Sequence, residues 1–301
     1  MKLLITNFRK ANILSAAVLV MAMNAFAFGA SGTWAATGNM RSARDGHTAT
    51  LLVNGKVLAA GGTNNGVALT SAELYNGTTG TWASTGSMHV ARTLARAILL
   101  PNGSVLIMGG CVNDCLSATT RSAELYNPTT GMFTATGSMV QARAEFGVAL
   151  LANGQALVVG GCTAYDVNGC LAVTAKAEIY NPATGTWKVT GALRGARHAM
   201  NATRLASGKV LVAGGATAAM DAINSSEIYD PTTGMWTLGL KMVTARSDYA
   251  SIILGTGKVL FIGGENINGV SIRNAELYNP STGTFSGAGG LALYAEAMTA
   301  P

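Results

Sequence analysis

The chain has 301 residues, 11% of them charged, 49% hydrophobic and 38 of them glycine. That balance excludes a disordered or coiled-coil chain and suits short buried strands joined by tight turns. The formal charge of +6 overstates the basic character: Lys2, Arg9 and Lys10 sit at the extreme N-terminus with no acid among them, and the remaining +3 is dispersed, too little for a nucleic-acid surface.

In chain order, residues 1–10 hold those three cations and residues 11–28 form an apolar run. A charged start, an apolar core and the small residues of Ala25-Phe26-Ala27 predict a secretion signal over residues 1–27, cut after Ala27, and a mature chain of residues 28–301. An uncleaved anchor is the alternative, since the run nears the roughly 18–20 apolar residues that span a bilayer. Asn12 and Asn24 interrupt it, and no later segment is long and apolar enough to cross.

Beyond the leader the sequence repeats. Gly-X-aromatic begins at Gly32, Gly80, Gly131, Gly185, Gly234 and Gly283, at spacings of 48, 51, 54, 49 and 49. The first glycine of a Gly-Gly pair (Gly61, Gly109, Gly160, Gly214, Gly263) follows each of the first five openings by 29 residues. Glu73, Glu124, Glu178, Glu227 and Glu276 each lie seven residues before the next opening, so all length variation falls between Gly-Gly and Glu. One loop per repeat is free to vary.

In the first repeat, residues 48–53 and 56–60 read as two short strands joined by Asn54-Gly55, a pair suited to a two-residue hairpin turn. Residues 72–75 and 81–85 read as the third and fourth strands, joined in most repeats by Asn-Pro-Thr-Thr-Gly or a close variant. Four antiparallel strands every 50 residues or so make a propeller blade, which needs its neighbours to cover both faces. The expectation is an all-β propeller of five complete four-stranded blades, with repeats near 32–79, 80–130, 131–184, 185–233 and 234–282. A spare strand motif at 32–38 precedes them, and a partial repeat at 283–301 ends in a short tail. The Trp or Phe at 34, 82, 133, 187, 236 and 285, with Tyr75, Tyr126, Tyr180, Tyr229 and Tyr278, supplies the packing between blades.

Gly-Gly, a spaced Tyr and a Trp, once per repeat over residues 32–289, resemble the kelch family. That resemblance implies a Gly-Gly pair ending the second strand of each blade, where adjacent backbone approaches closely. It also implies two classes of activity: recognition or scaffolding of protein or glycan, or exported sugar enzymes such as sialic-acid mutarotases and copper radical oxidases related to galactose oxidase.

Antiparallel order puts the second-to-third-strand loop on the same face as the connection from one repeat to the next, which marks that face as the candidate binding surface. Arg44, Arg92, Arg143, Arg197 and Arg246 recur there. Five guanidinium groups in a ring could receive a carboxylate or phosphate, but one repeated Glu per Arg points instead to an ion pair built into each blade. Blade-specific residues are more informative: Glu145, His198 and Asp248 as polar groups at the channel mouth, and Tyr165 and Asp166 in the third variable loop. The residues three beyond each Arg (His47, Ala95, Phe146, Met200, Tyr249) read as lining the channel.

Cys111 with Cys115 and Cys162 with Cys170 open two successive variable loops, and in an exported chain they pair as disulfides. Four thiolates on one zinc ion are the alternative, which the wide second spacing disfavours. No histidine spacing suggests a metal, and no cofactor or nucleic-acid partner is expected. The leading expectation is therefore a secreted, periplasmic or cell-surface recognition module for protein or glycan without catalysis, with a small-molecule sugar enzyme as the alternative.

Overall fold

A computed structural model describes residues 35–113, 115, 118–167 and 169–291. The leader, the start of the spare strand motif and the tail beyond residue 291 lie outside the described residues, which contain no helix. They form five four-stranded antiparallel sheets, each strand pairing with the next in sequence. Blade one holds Thr48–Leu51, Val57–Ala60, Ala72–Asn76 and Thr81–Ser84; blade two, Arg96–Leu99, Val105–Met108, Ala123–Asn127 and Met132–Thr136. Blade three holds Gly147–Leu150, Ala156–Val159, Ala177–Asn181 and Thr186–Thr190; blade four, Ala202–Arg204, Val210–Ala213, Ser226–Asp230 and Met235–Leu238. Blade five holds Ala250–Ile253, Val259–Ile262, Asn274–Asn279 and Thr284–Gly290.

The second strands are the buried centre of each sheet. Val105–Met108, Ala156–Val159 and Val210–Ala213 are buried at every position, as continuous apolar runs covered on both faces must be. Their side chains join clusters that cross from blade to blade: one spans blades one and two, one blades two and three, and one blades three to five. The turn between the first two strands differs from expectation. In blade one the Leu52 N–H donates to Lys56 O at 2.8 Å and the Gly55 N–H to Leu52 O at 3.0 Å. The loop is thus three residues long, with Gly55 in the left-handed region at φ 78°, the bulged alternative to a two-residue turn.

The aromatic residues pair within a blade and bond between blades. Tyr126 and Phe133 lie 4.8 Å apart, and the Tyr–Trp pairs of blades one, three and four 5.1 Å. Each Tyr hydroxyl of blades one to four meets the Thr hydroxyl that ends the preceding fourth strand, as in Tyr126 with Thr85 at 2.8 Å and Tyr180 with Thr136 at 2.7 Å. Thr37, from the described end of the spare strand motif, serves Tyr75 in the same way at 2.7 Å. Seam glycines allow this approach: a Cβ on Gly137 would stand 2.1 Å from Gly185 O.

The Gly-Gly pairs form the inner seam. The second glycine donates its N–H to the carbonyl of the next blade's Arg, Gly62 to Arg92, Gly110 to Arg143, Gly161 to Arg197 and Gly215 to Arg246, at 2.8–2.9 Å. The residues three beyond each Arg therefore do not uniformly line the channel, as their position suggests. Phe146, Met200 and Tyr249 pack over Gly109, Gly160 and Gly214 of the preceding blade, and all three are buried; only His47 and Ala95 of that set border the central cavity. A glycine leaves room for the large side chain that a Cβ would displace.

Candidate functional site

Each repeated Arg engages both terminal guanidinium nitrogens inside its own blade. Arg143 donates to Gly160 O at 2.7 Å, Lys176 O at 2.8 Å and Glu178 Oε1 at 2.7 Å. Glu178 in turn accepts the backbone N–H groups of Val140 and Gln141. The same set recurs at Arg44–Glu73, Arg92–Glu124, Arg197–Glu227 and Arg246–Glu276, with every Arg side chain 0–2% exposed. The guanidinium groups thus hold the loop ends and face no ligand. Burial alone would raise the carboxyl of Glu73, but the Arg41 N–H, the Arg44 guanidinium and the Ser42 N–H outweigh it and hold the acid below its ordinary range.

The two connections expected on one face pair directly, through single bridges Asp45 to Thr63, Thr93 to Cys111, Ala144 to Cys162, His198 to Ala216 and Ser247 to Glu265. Three variable loops then rise as two-stranded hairpins: Thr63–Asn64 with Val67–Ala68, Cys111–Val112 with Ala118–Thr119, and Cys162–Asp166 with Gly169–Val173. Both cysteine pairs stand at disulfide distance, 111 with 115 and 162 with 170. Each ties the first residue of its hairpin to one at or near the turn, and they point to an oxidising compartment.

At the inner edge of this face the residue two beyond each Arg adopts a left-handed backbone: Gly46, Leu94, Glu145, Ala199 and Asp248, with φ between 52° and 64°. A relay explains the shared conformation. Leu94 N–H donates to Gly46 O, Glu145 to Leu94, Ala199 to Glu145 and Asp248 to Ala199, at 2.9–3.3 Å. Among the described residues the relay ends at Asp248, and no hydrogen bond joins blade five to blade one. For non-glycine residues this conformation costs about 1–2 kcal/mol each, and here the two most polar members border a cleft.

The cleft, about 360 Å³, lies between the loops of blades three, four and five and is lined by Glu145, His198, Met220, Asp248, Glu265 and Ile267 among others. His198 Nδ1 lies 3.0 Å from Glu145 Oε2. The histidine side chain is 2% exposed and the glutamate 15%, while Nε2 of the ring is buried with no hydrogen-bond partner. Burial works to raise the Glu145 carboxyl, but the His198 contact, the Tyr165 phenol and the Arg96 charge together hold it below the ordinary range. Asp248 moves the other way, to about 7, because burial and the neighbouring Glu145 charge outweigh His198 and Arg96. Arg96 itself, on the innermost strand of blade two, donates Nε to Phe146 O at 2.7 Å.

Of the sequence candidates, the structure brings Glu145, Tyr165, His198 and Asp248 into one neighbourhood; Asp166 is at the end of its strand in the third hairpin, and the five Arg lie beneath the loops. Sequence reading missed Arg96 and Glu265. Glu265 had a signal, being the only acid directly after a Gly-Gly pair; Arg96 had none beyond its place on an inner strand. Among the described residues no group of three or more His, Cys, Asp or Glu is disposed to hold a metal ion, and no helix is long and apolar enough to cross a membrane.

A model of the kelch motif matches residues 46–89, from the relay glycine of blade one through its fourth strand to the next loop. No curated protein matches the chain. Among solved structures, one titled "Structure of YjhT" is similar with a TM-score of 0.69 at 13% identity, over 81% of this chain and 84% of that one; at that identity the likeness concerns the fold alone. The Gly-Gly pair and the Arg–Glu pair recur in register through five blades, with the glycine seam and the tyrosine bond repeated in the first four, and the chain is a kelch-repeat β-propeller.

Proposed function

We propose that this propeller is an exported recognition module that binds a protein or glycan partner through the face carrying the variable hairpins, with the cleft at Glu145, His198 and Asp248 as its centre. The observation that carries the reading is that one concave site draws ionisable side chains from several blades, whereas the repeated charges beneath it are consumed within single blades. Concave sites with a few convergent polar groups and shifted pKa values are the usual seats of ligands. The disulfides support it, since a stiffened hairpin loses less entropy on engaging a partner, and they agree with export by a cleaved leader. The test is a glycan array and cross-linking to exported proteins, comparing the native chain with Glu145→Gln and with Thr129→Arg in a turn on the opposite face. Signal lost in the first and kept in the second supports the proposal; the reverse pattern, or equal signal in all three, refutes it.

A second reading is favoured by one contact. A histidine oriented by a carboxylate, beside an acid that titrates near neutrality, is a proton-transfer arrangement, which suits interconversion of sugar anomers. Exchange NMR on reducing sugars tests it, and turnover abolished by His198→Ala would displace the recognition reading. The copper-oxidase variant is not supported, because all four cysteines pair with one another and none is left to cross-link a tyrosine.

A further inference from the structure

The lining of the cleft has a chemical bias. Glu145, Asp248 and Glu265 present carboxylates, which only accept hydrogen bonds when ionised. His198 Nδ1 lies 3.0 Å from Glu145 Oε2 at the same wall, and its Nε2 is buried without a protein partner. A guest complementary to this lining brings donors and positive charge. Among the described residues these carboxylates are not gathered closely enough for a metal ion, which favours an organic cation.

Apolar side chains around the same opening narrow the choice further. Met220 and Ile267 line the cleft and are 47% and 57% exposed. Val167 and Leu171 stand 84% and 59% exposed on the blade-three hairpin, whose Gly169 lies against Met220, a Cβ there meeting the Met220 methyl at 3.4 Å. Val270, 57% exposed, flanks Ile267 on blade five. Several apolar groups rimming a charged centre fit an alkyl stem with a cationic head, and apolar neighbours of that stem, better than a sugar.

We infer that the cleft seats a basic side chain, lysine by preference, of a protein partner, its stem lying over Met220 and Ile267 and its ammonium among Glu145, Asp248 and Glu265. The inference rests on the recognition reading and names its ligand class. Lysine suits the site as a compact cation with three donors, where a planar guanidinium needs coplanar acceptors. Asp248 is faced by Glu145, Glu265, His198, Arg96 and Tyr165, and an arriving ammonium favours its ionised form. Binding therefore releases a proton and strengthens from pH 6 to pH 8.

The probe is a fluorescein-labelled Gly-Leu-Lys-Leu-Gly peptide titrated into the full chain at pH 8 and pH 6, beside its Nζ-acetylated form and a labelled glucosamine trisaccharide. The lysine peptide is expected to bind, acetylation to weaken it at least about tenfold, and Asp248→Asn and Glu265→Gln each to weaken it about three- to tenfold with no fall in melting temperature. Equal binding of the acetylated peptide, or indifference to both acid substitutions, overturns the inference. Tighter binding of the trisaccharide moves the site to glycans and overturns it as well. If no probe binds while the array or cross-linking still reports partners sensitive to Glu145→Gln, the lysine assignment fails and the recognition face stands; if those partners are also insensitive, both fall.

Discussion

Replacing Arg143 with alanine tests the idea that the repeated charges are framework. The side chain is 0% exposed and its partner Glu178 1%, so the substitution leaves a carboxylate in the interior with two backbone N–H donors and no countercharge. Breaking a buried pair from one side costs about 3–5 kcal/mol, and the carbonyls of Gly160 and Lys176 lose their guanidinium donor besides. Against a typical total of about 5–15 kcal/mol, the expected loss is a large fraction of the protein's stability. Urea unfolding followed by circular dichroism reads it as a fall in midpoint at unchanged slope. Lys209→Ala, at the exposed pair with Asp230 where the side chains are 48% and 27% exposed, is the control and leaves the midpoint in place. A loss below about 1 kcal/mol for Arg143→Ala would refute the reasoning, because it would place the pair in the class of solvated surface contacts.

Other expectations follow from the same geometry. Glu124 is held below its ordinary range despite burial, by the His89 and Val90 N–H groups, the His89 ring and Arg92; the stability it contributes is full above the unfolded pKa and is lost as pH falls through the folded one. Glu124→Gln should therefore flatten the acid limb of a stability–pH curve, and an unchanged limb would count against the assignment. Asp248 has the opposite sign: with a folded pKa of about 7 against an unfolded 3.8, the native protein loses stability as pH rises across that interval. Asp248→Asn removes the loss while tolerating the left-handed backbone, so melting temperatures at pH 8 should rise relative to the native chain and converge at pH 4. Gly137→Ala drives a Cβ to 2.1 Å from Gly185 O and should open the seam between blades two and three, whereas Gly255→Ala meets nothing within 4 Å and should be neutral or stabilising by about 0.4–1 kcal/mol; equal melting temperatures would contradict the seam. Cys162→Ser with Cys170→Ser should speed amide exchange through the third hairpin while leaving the central strands protected, and protection retained at Cys162–Val173 would show that the crosslink does not stiffen it.

The fold was legible because the repeat carries its own alignment. Gly-Gly stands at a fixed distance from the opening before it and Glu from the opening after it; the Gly-Gly pair marks backbones too close to tolerate another residue type, the opening glycine a left-handed turn, and Glu a buried ion pair. Arg143 and Glu178 could be paired from sequence because both recur once per blade. The cleft was only partly legible. Glu145, Tyr165, His198 and Asp248 were named one by one, but what assembles them is the left-handed relay through Gly46, Leu94, Glu145, Ala199 and Asp248, a backbone property with no residue signature beyond its first glycine. Comparing the column two beyond each Arg, instead of three beyond, would have isolated the two acids. Phe146, Met200 and Tyr249 were misplaced for a related reason: alternation along a strand gives a side, and only the neighbouring blade's bare Gly-Gly pair shows that the side is a seam and not the channel.

The Arg side chain that spans each variable loop has a consequence for how such a surface can change. One guanidinium nitrogen holds the carbonyls at both ends of the loop, Gly61 with Ser71 in blade one and Gly160 with Lys176 in blade three, so the gap between the ends is the same whether nine or fifteen residues intervene. Whatever is inserted there begins and ends on fixed anchor points, and its fit to a partner is decoupled from the integrity of the sheet below. A short turn, a crosslinked hairpin or a foreign segment can be exchanged at any of the five anchors while the blades beneath keep their register.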